Sequence, residues 1–205
     1  MFLSAEKKSI MDDKLKIFTI GHSTQSQKDF LALIKKNHID VVIDVRSTPY
    51  SRIAPQFNRE DLKIFLKENH VIYGYMGDVL GARYTDPTVL TEDGQVDFSK
   101  VALLPSFNQG INRLFKGMPN YRIALMCSEQ DPLTCHRFGL ISKVLTDKGV
   151  EVYHITPVGL VSEKDLEEKL IQTYYKHIDV FFSTESPRDQ AFKLLNKKIG
   201  YENDE

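Results

Sequence analysis

The chain has two cysteines, almost no net charge and no long apolar run, and each shortage excludes a class of function. Twenty-seven basic residues against 28 acidic ones leave a formal charge of -1. No global field therefore draws the molecule to nucleic acid or to a membrane surface, although a local basic patch stays open. The longest apolar runs fall far short of the roughly 18 residues that a membrane span needs, so no membrane partner is expected. The opening MFLSAEKKSIMDDK has too short an apolar stretch for a secretory leader and no small-residue cleavage site after it, so a cytoplasmic home is expected. In that setting Cys127 and Cys135 are expected as free thiols. Two thiols alone do not complete a four-ligand zinc site. Internal repeats and low-complexity segments are also lacking.

What is there reads as one α/β domain. A chain of 205 residues with 41% hydrophobic content fits a single globular unit. The pattern divides it into an N-terminal extension over 1–15, an α/β domain over 16–175 and a C-terminal tail over 176–205 with a short helix near 190–199. Strands are expected at 16–22 (KIFTIGH), 40–46 (DVVIDVR), 71–76, 121–126 (YRIALM) and 150–155. The β-branched run at 40–46 is that of a strand buried on both faces. Helices are expected at 27–38, 59–69, 97–116 with a break at Pro105, 131–148 and 162–175. Asp131-Pro132 supplies an N-cap followed by proline at the first helical position, and Ser162 opens a near capping box with Asp165. Strand and helix alternate, which predicts a mostly parallel central sheet of about five strands with helices on both faces.

In such sheets ligands bind outside the carboxyl ends of the strands, and the unusual residues fall there repeatedly. Strand one ends in Gly21-His22-Ser23, with His22 as a general base, a hydrogen-bond donor to an anion or a backbone-bonded cap. Strand two runs from Asp44 and Arg46 into a loop holding Ser51, Arg52, Gln56 and Phe57. Its arginines suit phosphate or carboxylate, and an aromatic there can stack on a base. Strand three leads to Arg83. Strand four ends in CSEQDPLTCHR, residues 127–137. Cys127, at a strand end before a helix, is either a nucleophile or an inert buried thiol. Glu129 beside it disfavours the thiolate, so the Cys127 thiol is expected to stay protonated. Helical counting puts Arg137 within the apolar stripe of Leu133, Leu140, Ile141, Val144 and Leu145, so it should be buried and paired with Asp44 or Glu129. The same counting turns Cys135 away from that stripe, with His136 at its edge, and makes a Cys127–Cys135 redox pair unlikely to form. A metal set of His22, Cys127 and Cys135 has no ligand spacing behind it, and none is assigned. His38, His70, His154 and His177 have no comparable context.

The blocks TIGHST, DVRSTPYSRIAPQFNR and CSEQDPLTCHR, in this order, resemble the bacterial family known as domain of unknown function 488, over about residues 17–156. That resemblance implies a fold and a site map rather than a reaction. The implied site is His22, Ser23, Asp44, Arg46, Pro49, Ser51, Arg52, Gln56, Phe57, Cys127, Glu129, Cys135, His136 and Arg137. A weaker similarity to rhodanese-like domains rests on IDVR at the end of strand two and on the position of Cys127. The loop departs from that pattern, since Ser128-Glu129-Gln130-Asp131 has two acids and no glycine to bare its amides to an anion. Cys127 and Arg137 are also too far apart for the cysteine-phosphatase spacing.

The expectation is therefore an enzyme or processing factor acting on an anionic ligand, such as a nucleotide or a nucleic-acid element. Arg46, Arg52 and Arg137 would hold the anion, and His22, Asp44 or Glu129 would move protons. The alternatives are a thiol enzyme built on Cys127 and a non-catalytic module that binds a nucleotide or a partner. No cofactor is indicated.

Overall fold

The β-branched runs assemble into one sheet and the amphipathic segments cover it on both sides. The computed structural model describes residues 14–202, so nearly all of the expected N-terminal extension lies outside the described residues. The strands are β1 (Lys16–Gly21), β2 (Val41–Asp44), β3 (Ile72–Tyr75), β4 (Ile123–Cys127), β5 (Glu151–Thr156) and β6 (Gly159–Ser162). Their order across the sheet is β3-β2-β4-β1-β5-β6. The first five are parallel, and β6 returns antiparallel beside β5. This is the mostly parallel α/β sheet that the alternation implies. Strand β6 escapes the pattern because it is a four-residue edge strand that runs directly into the cap of the next helix.

Alternate side chains divide the core in two, as the pleat requires. Phe18, Ile20, Val42, Ala124 and Met126 pack against Phe30 and Ile34 of α1 (Gln27–Lys36) and Leu62 and Leu66 of α2 (Arg59–Glu68). On the other face Ile17, Ile43, Leu125 and Cys127 meet Leu80 of α3 (Gly77–Leu80), Val101 of α4 (Phe98–Val101), Ile111 of α5 (Pro105–Gly117) and Leu145 of α6 (Lys143–Asp147). The expected helix over 97–116 is broken where Pro105 begins a new one. A third cluster joins Phe138 to α7 (Glu163–Tyr174) and α8 (Pro187–Ile199). Among the described residues no helix is long and apolar enough to cross a membrane.

The stretch after β4 departs from expectation. Asp131 does cap, accepting from the Leu133 N–H, but it caps only a single 3-10 turn, Pro132–Thr134. Cys135 is extended (φ -136°, ψ 140°), and π-helical turns follow at Arg137–Ser142 before α6. All six residues of those turns are buried, so the apolar stripe of a regular helix does not describe them. They are enclosed by the sheet on one side and by α7 and α8 on the other.

One network organises the carboxyl edge. Arg46 forks onto Asp44, with Nε to Oδ1 at 2.9 Å and Nη2 to Oδ2 at 2.7 Å. Its Nη1 meets His22 Nε2 at 2.9 Å, and Nη2 also donates to the Phe57 carbonyl at 2.8 Å. The Tyr73 hydroxyl donates to Asp44 Oδ2 at 2.8 Å. Asp44, Arg46 and His22 are all buried. His22 hydrogen-bonds the Ser23 carbonyl through Nδ1 at 2.7 Å and stacks on Phe57 at 4.4 Å. Burial first, and the Arg46 charge second, lower its pKa to about 4. Strand β1 meets the β4 loop through His22 N–H to the Cys127 carbonyl (3.0 Å) and Ser23 N–H to the Ser128 carbonyl (2.8 Å). At Gly21 a Cβ would stand 1.9 Å from the Glu129 carbonyl oxygen, so only glycine permits that approach.

His154, without context in the sequence, is fully buried between Thr19 (2.8 Å) and Glu163 (2.6 Å). Burial and the nearby Arg137 charge lower His154 to about 3, while burial pushes the Glu163 carboxyl well up, so both shifts disfavour an ion pair there.

Removing the Asp44 carboxylate strands a buried guanidinium, so Asp44→Ala is expected to cost about 3–5 kcal/mol. Chemical denaturation of the two proteins checks this, and a loss under about 1 kcal/mol would contradict the role given to the pair. A second expectation concerns pH. The stability associated with neutral His22 is intact above its ordinary pKa of 6.5 and is lost as pH falls towards about 4, because the unfolded chain takes up a proton that the fold refuses. His154 acts in the same sense, and Glu163 opposes it by taking up its proton in the fold first. The thermal midpoint should therefore drop between pH 7 and pH 5. The drop should shrink in His22→Gln, whose amide oxygen still accepts from Arg46; an identical pH slope in the variant would refute this account.

Candidate functional site

A cleft of about 550 Å³ opens at the carboxyl edge between the β2 loop, the β4 loop and the end of the chain. Cys127, Cys135 and His136 line it together with Glu129, Arg46, Ser47 and Thr48. Arg83, the last two residues of α8 and residues 200–202 complete the wall. Cys127 arrives at the end of a fully buried strand. Cys135 and His136 arrive where the backbone passes from extended to helical, which lets two adjacent side chains converge on one point.

His136 Nδ1 lies 3.7 Å from Cys127 Sγ and 3.9 Å from Cys135 Sγ. Its Nε2 faces the Val45 carbonyl at 3.2 Å, so Nε2–H donates there and Nδ1 turns to the sulfurs. The Arg137 backbone N–H reaches Cys135 Sγ at 3.5 Å. The two thiols are driven apart. Cys127 is pushed well up by its hydrogen bond to Cys135, by burial and by the Cys135 and Glu129 charges. For Cys135, burial acts upward, but Cys127 as donor, the Arg137 charge and His136 outweigh it and hold the thiol well down. Partial burial and the Cys135 charge raise the Glu129 carboxyl. For His136 the bond to Cys135 overcomes burial and raises the imidazole.

Several expectations are corrected by this geometry. The Cys127 thiol is pushed up, the direction expected, but the largest cause is Cys135 rather than the acidic loop. Cys135 does not point away from Cys127: the expectation assumed a helix from Asp131, and the extended conformation at Cys135 reverses its direction. The two cysteines remain free. Among the described residues the group with metal-ligand proximity is Cys127, Cys135 and His136 rather than a set containing His22. Arg137 is buried, with 1% of its surface exposed, yet its partners are main-chain carbonyls. Nη1 donates to Glu129 at 2.6 Å and Nη2 to Gln130 at 2.9 Å, and neither Asp44 nor the Glu129 carboxylate is its partner. Both oxygens of Asp44 are taken instead by Arg46.

The ends of β1, β2 and β4 do share one edge, as the parallel sheet demands. Of the residues singled out from the sequence, Arg46, Cys127, Glu129, Cys135 and His136 line the cleft. His22, Asp44 and Phe57 stand behind it in the buried network. Ser23 follows with a left-handed backbone (φ 47°). Ser51 shapes its own loop, with Oγ accepting from the Ile53 and Ala54 N–H groups. Gln56 ties that loop to the β1–α1 turn through the Gln25 carbonyl. Arg52 is exposed outside the cleft. Ser47, Thr48, Gln95, Lys198 and Tyr201 line the cleft without having been singled out. The tail residues carry no local motif, and only the packing of α8 brings them here.

No curated protein matches the chain, and no solved structure does. One family model matches residues 26–144, well over half of the chain, and it is not a rhodanese-like one. Strand β1 with its TIGHST block lies outside the matched stretch, whereas Asp44, Arg46 and the whole Cys127–Arg137 segment lie inside it. The chain belongs to the family described as Domain of unknown function DUF488.

Proposed function

We propose that this protein is an enzyme acting on a small anionic molecule held in the cleft, with the Cys127, Cys135, His136 and Glu129 cluster as its reacting centre. The observation that carries the reading is the convergence of these four side chains, from two separate turns of the chain, on one polar cleft at the carboxyl edge of the sheet. Such convergence in a concave site is the usual mark of a reaction centre. A volume of about 550 Å³ suits a small molecule rather than a polymer. The Arg46 charge is compensated by Asp44, with further bonds to His22 and the Phe57 carbonyl, and Arg137 stands outside the cleft lining, its Nη groups on two carbonyls and its buried Nε without a partner. The anion therefore falls to Arg83, which rests on the Tyr201 ring at 4.8 Å, and to Lys198. Neither forms a salt bridge among the described residues. Glu129 and Glu202 line the same cleft, so the ligand should carry hydrogen-bond donors beside its charge, as a nucleotide or a phosphorylated sugar does. Free thiols in the centre suit a reducing, cytoplasmic setting.

One observation favours covalent thiol chemistry as a second reading. Cys135 Sγ receives the Arg137 N–H on one side and faces His136 on the other, so the nucleophile in that reading is Cys135 and not Cys127.

The test is a binding screen by thermal shift and calorimetry with inorganic phosphate, nucleotides and phosphorylated sugars, followed by product analysis on each binder. At least one anion should bind. Arg83→Ala should weaken it about ten- to a hundredfold, the size of a lost charge-assisted hydrogen bond, while Cys135→Ser should abolish turnover and keep binding. Absence of any binder, or an Arg83→Ala protein that binds as tightly as wild type, would sink the reading. Binding without turnover would leave a sensing module instead.

A further inference from the structure

We propose that Cys127, Cys135 and His136 form a binding site for one divalent metal ion of the zinc type, with its fourth position open to the cleft. It rests on the cleft reading only for what the open position serves; the metal site itself stands on its own geometry.

The three ligand atoms all lie within 4.8 Å of one another, and the two sulfur–nitrogen separations are 3.7 and 3.9 Å. A tetrahedral ion with metal–sulfur bonds of about 2.3 Å and metal–nitrogen bonds of about 2.0 Å requires sulfur–nitrogen separations of about 3.5 Å. On those two separations, closing onto an ion needs shifts of only a few tenths of an ångström. The orientation of the imidazole is the second, independent observation. Ligating histidines characteristically give their other ring N–H to a carbonyl or carboxylate. His136 does this to the Val45 carbonyl, which fixes Nδ1 as the free lone pair and aims it between the two sulfurs.

The surroundings fit the charge. Two thiolates cancel a dication, and the Arg137 N–H on Cys135 Sγ is the kind of contact that holds a ligating sulfur in place. The donor set selects the metal: two sulfurs and one imidazole exclude magnesium and calcium, which take oxygen. Three protein ligands with a vacant fourth direction correspond to a catalytic rather than a structural site. Glu129 lines the cleft beside that direction, so it can ligate the ion or hydrogen-bond a water bound there. Loading releases to solvent whatever protons the two sulfurs and Nδ1 carry, as two metal–sulfur bonds and one metal–nitrogen bond form.

Cobalt(II) is the probe, because it reports both ligand type and geometry. The full chain is reduced, stripped with a chelator and titrated anaerobically. One equivalent should produce thiolate-to-cobalt charge-transfer absorption and intense tetrahedral bands, which zinc then displaces at one equivalent. Zinc should also protect both thiols from alkylation. Cys127→Ser, Cys135→Ser and His136→Asn should each weaken cobalt binding at least a hundredfold, and circular dichroism identifies any variant that fails to fold. The wild-type titration stands even if all three variants do not fold. A wild-type chain without charge-transfer absorption, or one whose thiols alkylate equally fast with and without zinc, would overturn the site. A cobalt signal with no anion binder leaves the metal site and removes the anion reading; anion binding without a cobalt signal does the reverse.

Discussion

The bidentate pair between Asp44 and Arg46 is the constraint on which the carboxyl edge of this protein depends. Both groups are buried, where an unpaired charge is costly and a forked, fully bonded one is tolerated. The pair stabilises less through its own attraction than through what it orders. Arg46 spends its remaining donors on His22 and on the Phe57 carbonyl, and Asp44 takes the Tyr73 hydroxyl. The ends of β1, β2 and β3 and the loop that follows β2 are thereby tied to one ion pair. His22 must stay neutral for this to work, because its Nε2 accepts from a guanidinium.

With both oxygens of Asp44 engaged by Arg46, Arg137 has other partners. Arg137 takes the Glu129 and Gln130 carbonyls and so folds the β4 loop back over its own helical turn. That turn is π-helical and enclosed on all sides. The arrangement is local, but it decides the site: with the loop folded back, an extended Cys135 returns its sulfur to Cys127, and His136 enters between them. Gly21 completes the fit by letting the Glu129 carbonyl lie against β1.

Strand and helix alternation, the parallel sheet and the edge at which the unusual residues gather are legible in the sequence. They follow from short-range patterns: β-branched runs, helical stripes, and glycine or proline at the boundaries. Burial of Arg137 is legible for the same reason, because a charge within an apolar run has to be enclosed. Five of the residues that line the cleft, Arg46, Cys127, Glu129, Cys135 and His136, are also found this way. Their partners are not. The division of labour between two arginines competing for one aspartate, and the pairing of His154 with Thr19 and Glu163, involve residues far apart in the chain.

The sequence by itself determines the layers of this protein and the end of the sheet at which the cleft opens, because periodicity and strand polarity are encoded over a few residues. Only the tertiary structure decides that Cys135 faces Cys127, that His136 presents Nδ1 to both, and that residues after α8 close the cleft. A one-residue change in where a helix starts rotates every following side chain by about 100 degrees, and that start is set here by long-range packing and by the carbonyls that Arg137 finds. No local pattern records either of those.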